Sequence, residues 1–145
     1  MMGQQIAKDD SIIELGKSTQ IRSSLNKEIA ILSFGNCLEM GSEVAEALDA
    51  TLIDMNFVKP IDEERIKKIS TEFKLIVSLE ENVIKGGAGS AIAEILSQSN
   101  ESAALLIMGL PDEFIDHGDQ SQQKVLIGLN KDAVIGSIKE KLNSI

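Results

Sequence analysis

The sequence predicts a single α/β domain built on a mainly parallel sheet. Three observations carry this. Four apolar runs of strand length recur along the chain. They are near-continuous in aliphatic residues rather than alternating, as in strands covered on both faces. Between them lie segments whose apolar residues repeat with helical period. Strand–helix alternation at this spacing implies right-handed βαβ units.

The chain has 145 residues, the size of one ordinary domain and enough to bury a core without disulfide staples. With four Phe and no Trp or Tyr, that core must be aliphatic. The polar stretch 1–27 reads as tail or linker, and the regular domain as 28–145. A short edge strand is expected around the one apolar knot in the tail, Ile12-Ile13 with Leu15. The strands are Ile29–Phe34, Thr51–Met55, Leu75–Leu79 and Ala103–Met108. Leu38, Gly41, Val44, Ala45 and Leu48 share one helix face. Ile66, Ile69 and Phe73 share a second, and Ala88, Ile92, Ile95 and Leu96 a third. Ile135, Ile138 and Leu142 mark a C-terminal helix, and a shorter one is expected at Ser121–Ile127. Asp62 follows Pro60 as an N-cap, with Glu63 and Glu64 in the positive first turn and Ile61 and Ile66 placed as a hydrophobic staple. Asn130 is placed to cap the last helix.

The net charge of −9 argues against nucleic acid and against an anionic membrane surface. One cysteine, Cys37, excludes an internal disulfide and a cysteine-rich zinc site, and suits a reducing cytosol. No apolar run has membrane-spanning length, and no secretory leader is expected at the N-terminus.

The most distinctive stretch is Glu80-Glu81-Asn82-Val83-Ile84-Lys85-Gly86-Gly87-Ala88-Gly89-Ser90. It follows a strand and opens a helix, where free N–H groups favour an anion. It lacks the Gly-Lys-Ser/Thr of a P-loop. It also fails the dinucleotide fingerprint, because Ile92 stands where a small residue is required. Two readings stay open: a small-anion or regulatory-ligand site at Glu81, Gly86, Gly87, Gly89 and Ser90, with His117 as a further candidate, or glycines serving close packing within or between chains. Either predicts a positive φ, or contact with another backbone, at Gly87 or Gly89. Glu80 and Glu81 are neighbours on a strand and point to opposite faces, so they form no catalytic pair. One of them is placed to accept the N–H groups of the glycine loop.

His117 is the only histidine. A lone histidine forms no histidine-based metal cluster. A triad with Ser90 or Ser121 lacks the G-x-S-x-G elbow. A loop histidine tied to Asp116, Asp119 or the backbone is the favoured reading. Cys37 lies near a helix start, which favours a thiolate. Filling the helix–sheet seam is its simpler role.

Four pieces in order then carry a resemblance. They are Met55-Asn56-Phe57-Val58-Lys59-Pro60-Ile61-Asp62, the glycine stretch with Glu80-Glu81-Asn82, Gly109-Leu110-Pro111-Asp112 with Phe114-Ile115 and His117-Gly118, and Gly128-Leu129-Asn130. From about Ile12 to the end the chain resembles the C-terminal domain of the 1-deoxy-D-xylulose-5-phosphate synthases, thiamine-diphosphate transferases related to transketolase. Beta subunits of 2-oxo acid dehydrogenases share fewer of these pieces. The sequence has asparagine at Asn56 and Asn130, where the family usually has arginine and aspartate.

The resemblance implies a three-layer α/β/α domain with a mixed sheet of about five strands. It places the metal–diphosphate motif, the activating glutamate and the substrate-phosphate arginines in two preceding thiamine-binding domains. No G-D-G stretch with paired asparagines occurs here, and Arg22 and Arg65 are the only arginines. No catalytic, metal or cofactor residue is therefore assigned. Thiamine diphosphate and magnesium belong to the complete enzyme, which joins pyruvate to glyceraldehyde 3-phosphate for isoprenoid precursors. The expected role is a cytoplasmic, structural and dimer-supporting domain, inactive alone, self-associating through the glycine-loop side of the sheet.

Overall fold

A computed structural model describes residues 12–98, 103–110 and 129–145. Its strands are β1 (Thr19–Arg22), β2 (Ile29–Ser33), β3 (Thr51–Asp54), β4 (Leu75–Val83) and β5 (Ala104–Leu110). Its helices are α1 (Leu38–Leu48), α2 (Glu63–Glu72), α3 (Ala88–Ser97) and α4 (Lys131–Asn143), and a 3-10 turn at Gly35–Cys37 leads into α1. The five strands lie in the order β1-β3-β2-β4-β5. All neighbours are parallel except β1, which runs antiparallel to β3. The mixed, mostly parallel sheet is thus as expected.

Alternate residues of the strands feed two cores. Ala30, Leu32, Ile53 and Ile76 pack with Ile66 and Ile69 of α2 and with Ile92 and Ile95 of α3. Ile29, Ile31, Leu52, Leu75 and Val77 pack on the opposite face with Val44 and Ala45 of α1 and with Val134 and Ile138 of α4. Every residue of β2 is buried, which explains why its run is apolar but for Ser33.

The caps follow the sequence. Asp62 accepts the Arg65 N–H at 3.1 Å, and Asn130 accepts that of Ala133 at 3.0 Å. Ile61 packs against the core that contains Ile66, as the staple requires.

The N-terminal edge strand differs from expectation. It forms at Thr19–Arg22, while Ile12, Ile13 and Leu15 stay exposed. Its Arg22 reaches past the sheet edge, donating to the Ala50 carbonyl and pairing with Asp49 at 2.8 Å. Polar bonding, not burial, seats this strand. The helix expected at Ser121–Ile127 and the loop carrying His117, Asp116 and Asp119 lie outside the described residues.

Candidate functional site

The chain crosses over on one face through α1 after β2, and on the other through α3 after β4. The two crossovers diverge from adjacent strands. In open parallel sheets the crevice above such a switch point is where ligands bind. Two loops meet there: Gly35–Cys37, and the glycine loop that ends β4. Asn36 Nδ2 donates to Glu81 Oε2 across the gap at 3.2 Å. Glu81 thus bridges the two loops, with a further interaction of its own.

Glu80, not Glu81, is the carboxylate that serves the glycine loop. β4 continues past Leu79 to Val83, and alternation along it buries Glu80 completely and leaves Glu81 partly exposed. Glu80 points to the α3 face. Its carboxylate accepts the Gly89 N–H at 3.2 and 3.4 Å, and the Ala88 N–H as well. It caps α3 from below, because the N-cap residue Gly87 has no side chain to do so. Burial pushes the Glu80 carboxyl above its ordinary range, and the two backbone donors pull against that rise without cancelling it.

The other loop donors are also turned inward. Gly86 N–H reaches Ser90 Oγ at 3.1 Å, and the Ser90 hydroxyl donates to the Ile84 carbonyl at 3.0 Å. Gly87 N–H meets the Ile84 carbonyl at 3.4 Å, and Ser90 N–H meets the Gly87 carbonyl at 3.1 Å. The candidate residues Glu81, Gly86, Gly87, Gly89 and Ser90 therefore lie together, and the N–H groups that would face an anion face this chain's own oxygens.

The glycines divide the work. The positive φ, 75°, falls at Gly86, while Gly87 is extended. A Cβ on Gly87 would lie 2.5 Å from the Val83 carbonyl oxygen and 2.8 Å from Glu80 Oε1. A Cβ on Gly89 would lie 2.5 Å from Ile107 Cγ2 of β5. Gly87 thus meets the expected close backbone contact, and Gly89 meets a side chain. Cys37 is buried in the core under α1, where the seam-filling role places it.

β4 is flanked by β2 and β5, so the glycine loop does not stand at a sheet edge. Val83 is exposed beside it, but the larger exposed aliphatic group is Ile12, Ile13 and Leu15. Among the described residues no group of three or more His, Cys, Asp or Glu is arranged to hold a metal ion. No helix among them is long and apolar enough to cross a membrane. A magnesium–diphosphate group needs oxygen ligands and free N–H donors. The described residues do not fit it, since the donors best placed for a diphosphate are taken by Glu80, Ser90 and Ile84.

Together these features define a three-layer α/β/α domain in which an Asn36–Glu81 hydrogen bond bridges the two loops at the switch point. The family described as "Transketolase, C-terminal domain" matches residues 16–134. The chain belongs to that family. Among curated proteins it is 49% identical over 133 residues to the 1-deoxy-D-xylulose-5-phosphate synthase of Histophilus somni, covering 92% of this chain and 21% of that protein. The synthase of Nitrosomonas europaea is 45% identical over 97% of this chain and 23% of its own length. The chain therefore spans about a fifth of the relatives it matches. Among solved structures, a split gene transketolase, described as an inactive β4 tetramer, superposes with a TM-score of 0.83 at 27% identity. The match covers 92% of this chain and 45% of that one. The transketolase of Campylobacter jejuni, at 12% identity and a TM-score of 0.59 over 86% of this chain and 18% of its own, shares the fold.

Proposed function

We propose that the chain acts as the C-terminal domain of a thiamine-diphosphate-dependent 1-deoxy-D-xylulose-5-phosphate synthase, in the cytoplasm, and that it supports structure and dimerisation rather than catalysis. The observation that carries this is the 49% identity to such a synthase along 92% of this chain, confined to 21% of the synthase. The relatives bear the synthase name, which favours this over a 2-oxo acid dehydrogenase beta subunit. The inward-turned loop donors weigh against a stand-alone anion module. Thiamine diphosphate, magnesium and both substrates are then held by the preceding thiamine-binding domains. Activity then requires those thiamine-binding domains together with this one. The split gene transketolase offers a parallel, as a chain described as inactive in its tetramer.

The test is calorimetric titration of the purified chain with thiamine diphosphate and magnesium, beside an assay for deoxyxylulose phosphate. Flat heats and no product are expected. Saturable micromolar binding overturns the reading. Self-association is expected as well, with the exposed Ile12, Ile13 and Leu15 as one apolar surface and Val83 as another. Light scattering after size exclusion, at low and moderate salt, checks it. A monomer mass at high concentration in both buffers contradicts it.

A further inference from the structure

The segment before β2 is held to α2 chiefly around one buried side chain. Asp62 is buried, only 6% exposed. Its Oδ2 accepts the Ser18 N–H at 2.8 Å and the Ser18 hydroxyl at 2.7 Å, while its Oδ1 caps α2 through the Arg65 N–H. Arg65 Nε donates back to Ser18 Oγ at 3.2 Å and closes the ring. Just upstream of Asp62, Asn56 adopts a left-handed φ of 56°. Its Nδ2 donates to the Lys17 carbonyl and to the Thr19 hydroxyl, both at 2.9 Å. Lys17 then pairs with Glu64 at 2.6 Å. Residues 16–22 are thus a strap fastened at successive points to the β3–α2 loop and the first turn of α2.

We propose that Asp62 is a latch that makes docking of this strap and capping of α2 a single cooperative event. The two oxygens of one carboxylate are divided between the two tasks. Ser18 fixes the rotamer that aims Oδ1 at the helix, and the helix fixes the rotamer that aims Oδ2 at the strap. Removing either partner returns torsional freedom to Asp62 and weakens the other bond. Whatever covers residues 16–22 in a larger assembly therefore also tightens the start of α2, and whatever lifts them loosens it. The charged groups around the latch are Lys17 on the strap and Glu64, Arg65 and Lys68 on α2, which line one surface cavity with Asp62 and Ser18. Glu14 acts on Lys17. Besides the Ser18 and Arg65 donors, the Lys17 charge favours the ionised latch. It is shut at neutral pH and opens when Asp62 is protonated.

Amide hydrogen exchange followed by NMR on the full chain tests this. Asp62→Asn keeps one acceptor oxygen and loses the other. If the anchors were independent, the side that keeps the oxygen would stay protected. The latch predicts faster exchange on both sides, in β1 and at Arg65 and Ile66, by about fivefold, the scale of a lost helix cap. Ile31 in β2 reports the core and keeps its protection. Ser18→Ala, a milder change, gives the same paired response. In the unaltered protein the Ser18 and Arg65 amide shifts follow pH with one shared midpoint. Acceleration confined to one side, acceleration on neither, or separate midpoints each overturn the proposal.

Discussion

Asp62 and Glu80 are both buried carboxylates that satisfy the N-terminus of a helix, and they titrate in opposite directions. Burial raises both. At Asp62, the first residue before α2, that rise is outweighed by the Ser18 N–H and hydroxyl, the Arg65 N–H and the nearby Lys17, and its carboxyl is held below the ordinary range. Glu80 comes from a strand inside the sheet, has two backbone donors and no cation beside it among the described residues, and stays above the ordinary range. The number of donors and the company of a cation decide the sign. A cap at the rim of the domain is built from polar neighbours. One beneath a glycine loop is surrounded by apolar core, and the glycines that admit it leave no room for other polar side chains.

That contrast is most severely strained by filling the space beside Glu80. Gly87→Ala places a methyl 2.5 Å from the Val83 carbonyl oxygen, a backbone atom, and 2.8 Å from Glu80 Oε1. Urea denaturation should show a loss of about 3 kcal/mol, the upper part of the usual range for overpacking. A loss under about 1 kcal/mol would mean that the loop is soft and Glu80 is not pinned.

The two carboxylates should separate next by truncation and by pH. Asp62→Ala removes a helix cap and the strap bonds together, for about 2 kcal/mol at neutral pH. Glu80→Gln keeps one acceptor and should cost about 1 kcal/mol. The pH dependence has opposite signs. Asp62 is lowered, so its contribution is present above the unfolded aspartate range and disappears as pH falls through the folded value. Glu80 is raised, so its contribution is fully present below the unfolded glutamate range and declines as pH rises through the folded value. The stability gap between the protein and Asp62→Asn should close on acidification. The gap to Glu80→Gln should narrow instead as pH rises out of the acid range. Parallel curves would erase the comparison.

Much of this architecture is readable in the amino acids, for stated reasons. Strands buried on both faces must be continuously apolar, so β2, β3 and the first half of β4 are plain. Asp62 and Asn130 announce their helices because capping is local. The apolar knot at Ile12–Leu15 suggests an edge strand, but those residues stay exposed and form none. The real one, Thr19–Arg22, is mostly polar, as an edge strand can be, and is seated by Asn56, Asp62 and Asp49 from distant segments. The glycine loop and its association with a carboxylate were legible, but not which glutamate. Both faces of β4 are covered by helices, so alternation alone separates Glu80 from Glu81 without ranking them. Only the placement of α3 on the Ile76–Ser78–Glu80 face decides. Asn56 puts an amide at a left-handed position that asparagine tolerates well, where it bonds the Lys17 carbonyl and the Thr19 hydroxyl.

The N–H donors of the glycine loop are satisfied from within by Glu80, Ser90 and the Ile84 carbonyl. Titration of the isotope-labelled chain with inorganic phosphate, followed at the amides of Gly86, Gly87, Ala88 and Gly89, tests it directly. The account predicts only small, non-saturating shifts in the protein, and new saturable shifts at Ala88 and Gly89 in Glu80→Ala, where the donors are released. Saturable shifts at those amides in the unaltered protein would contradict it.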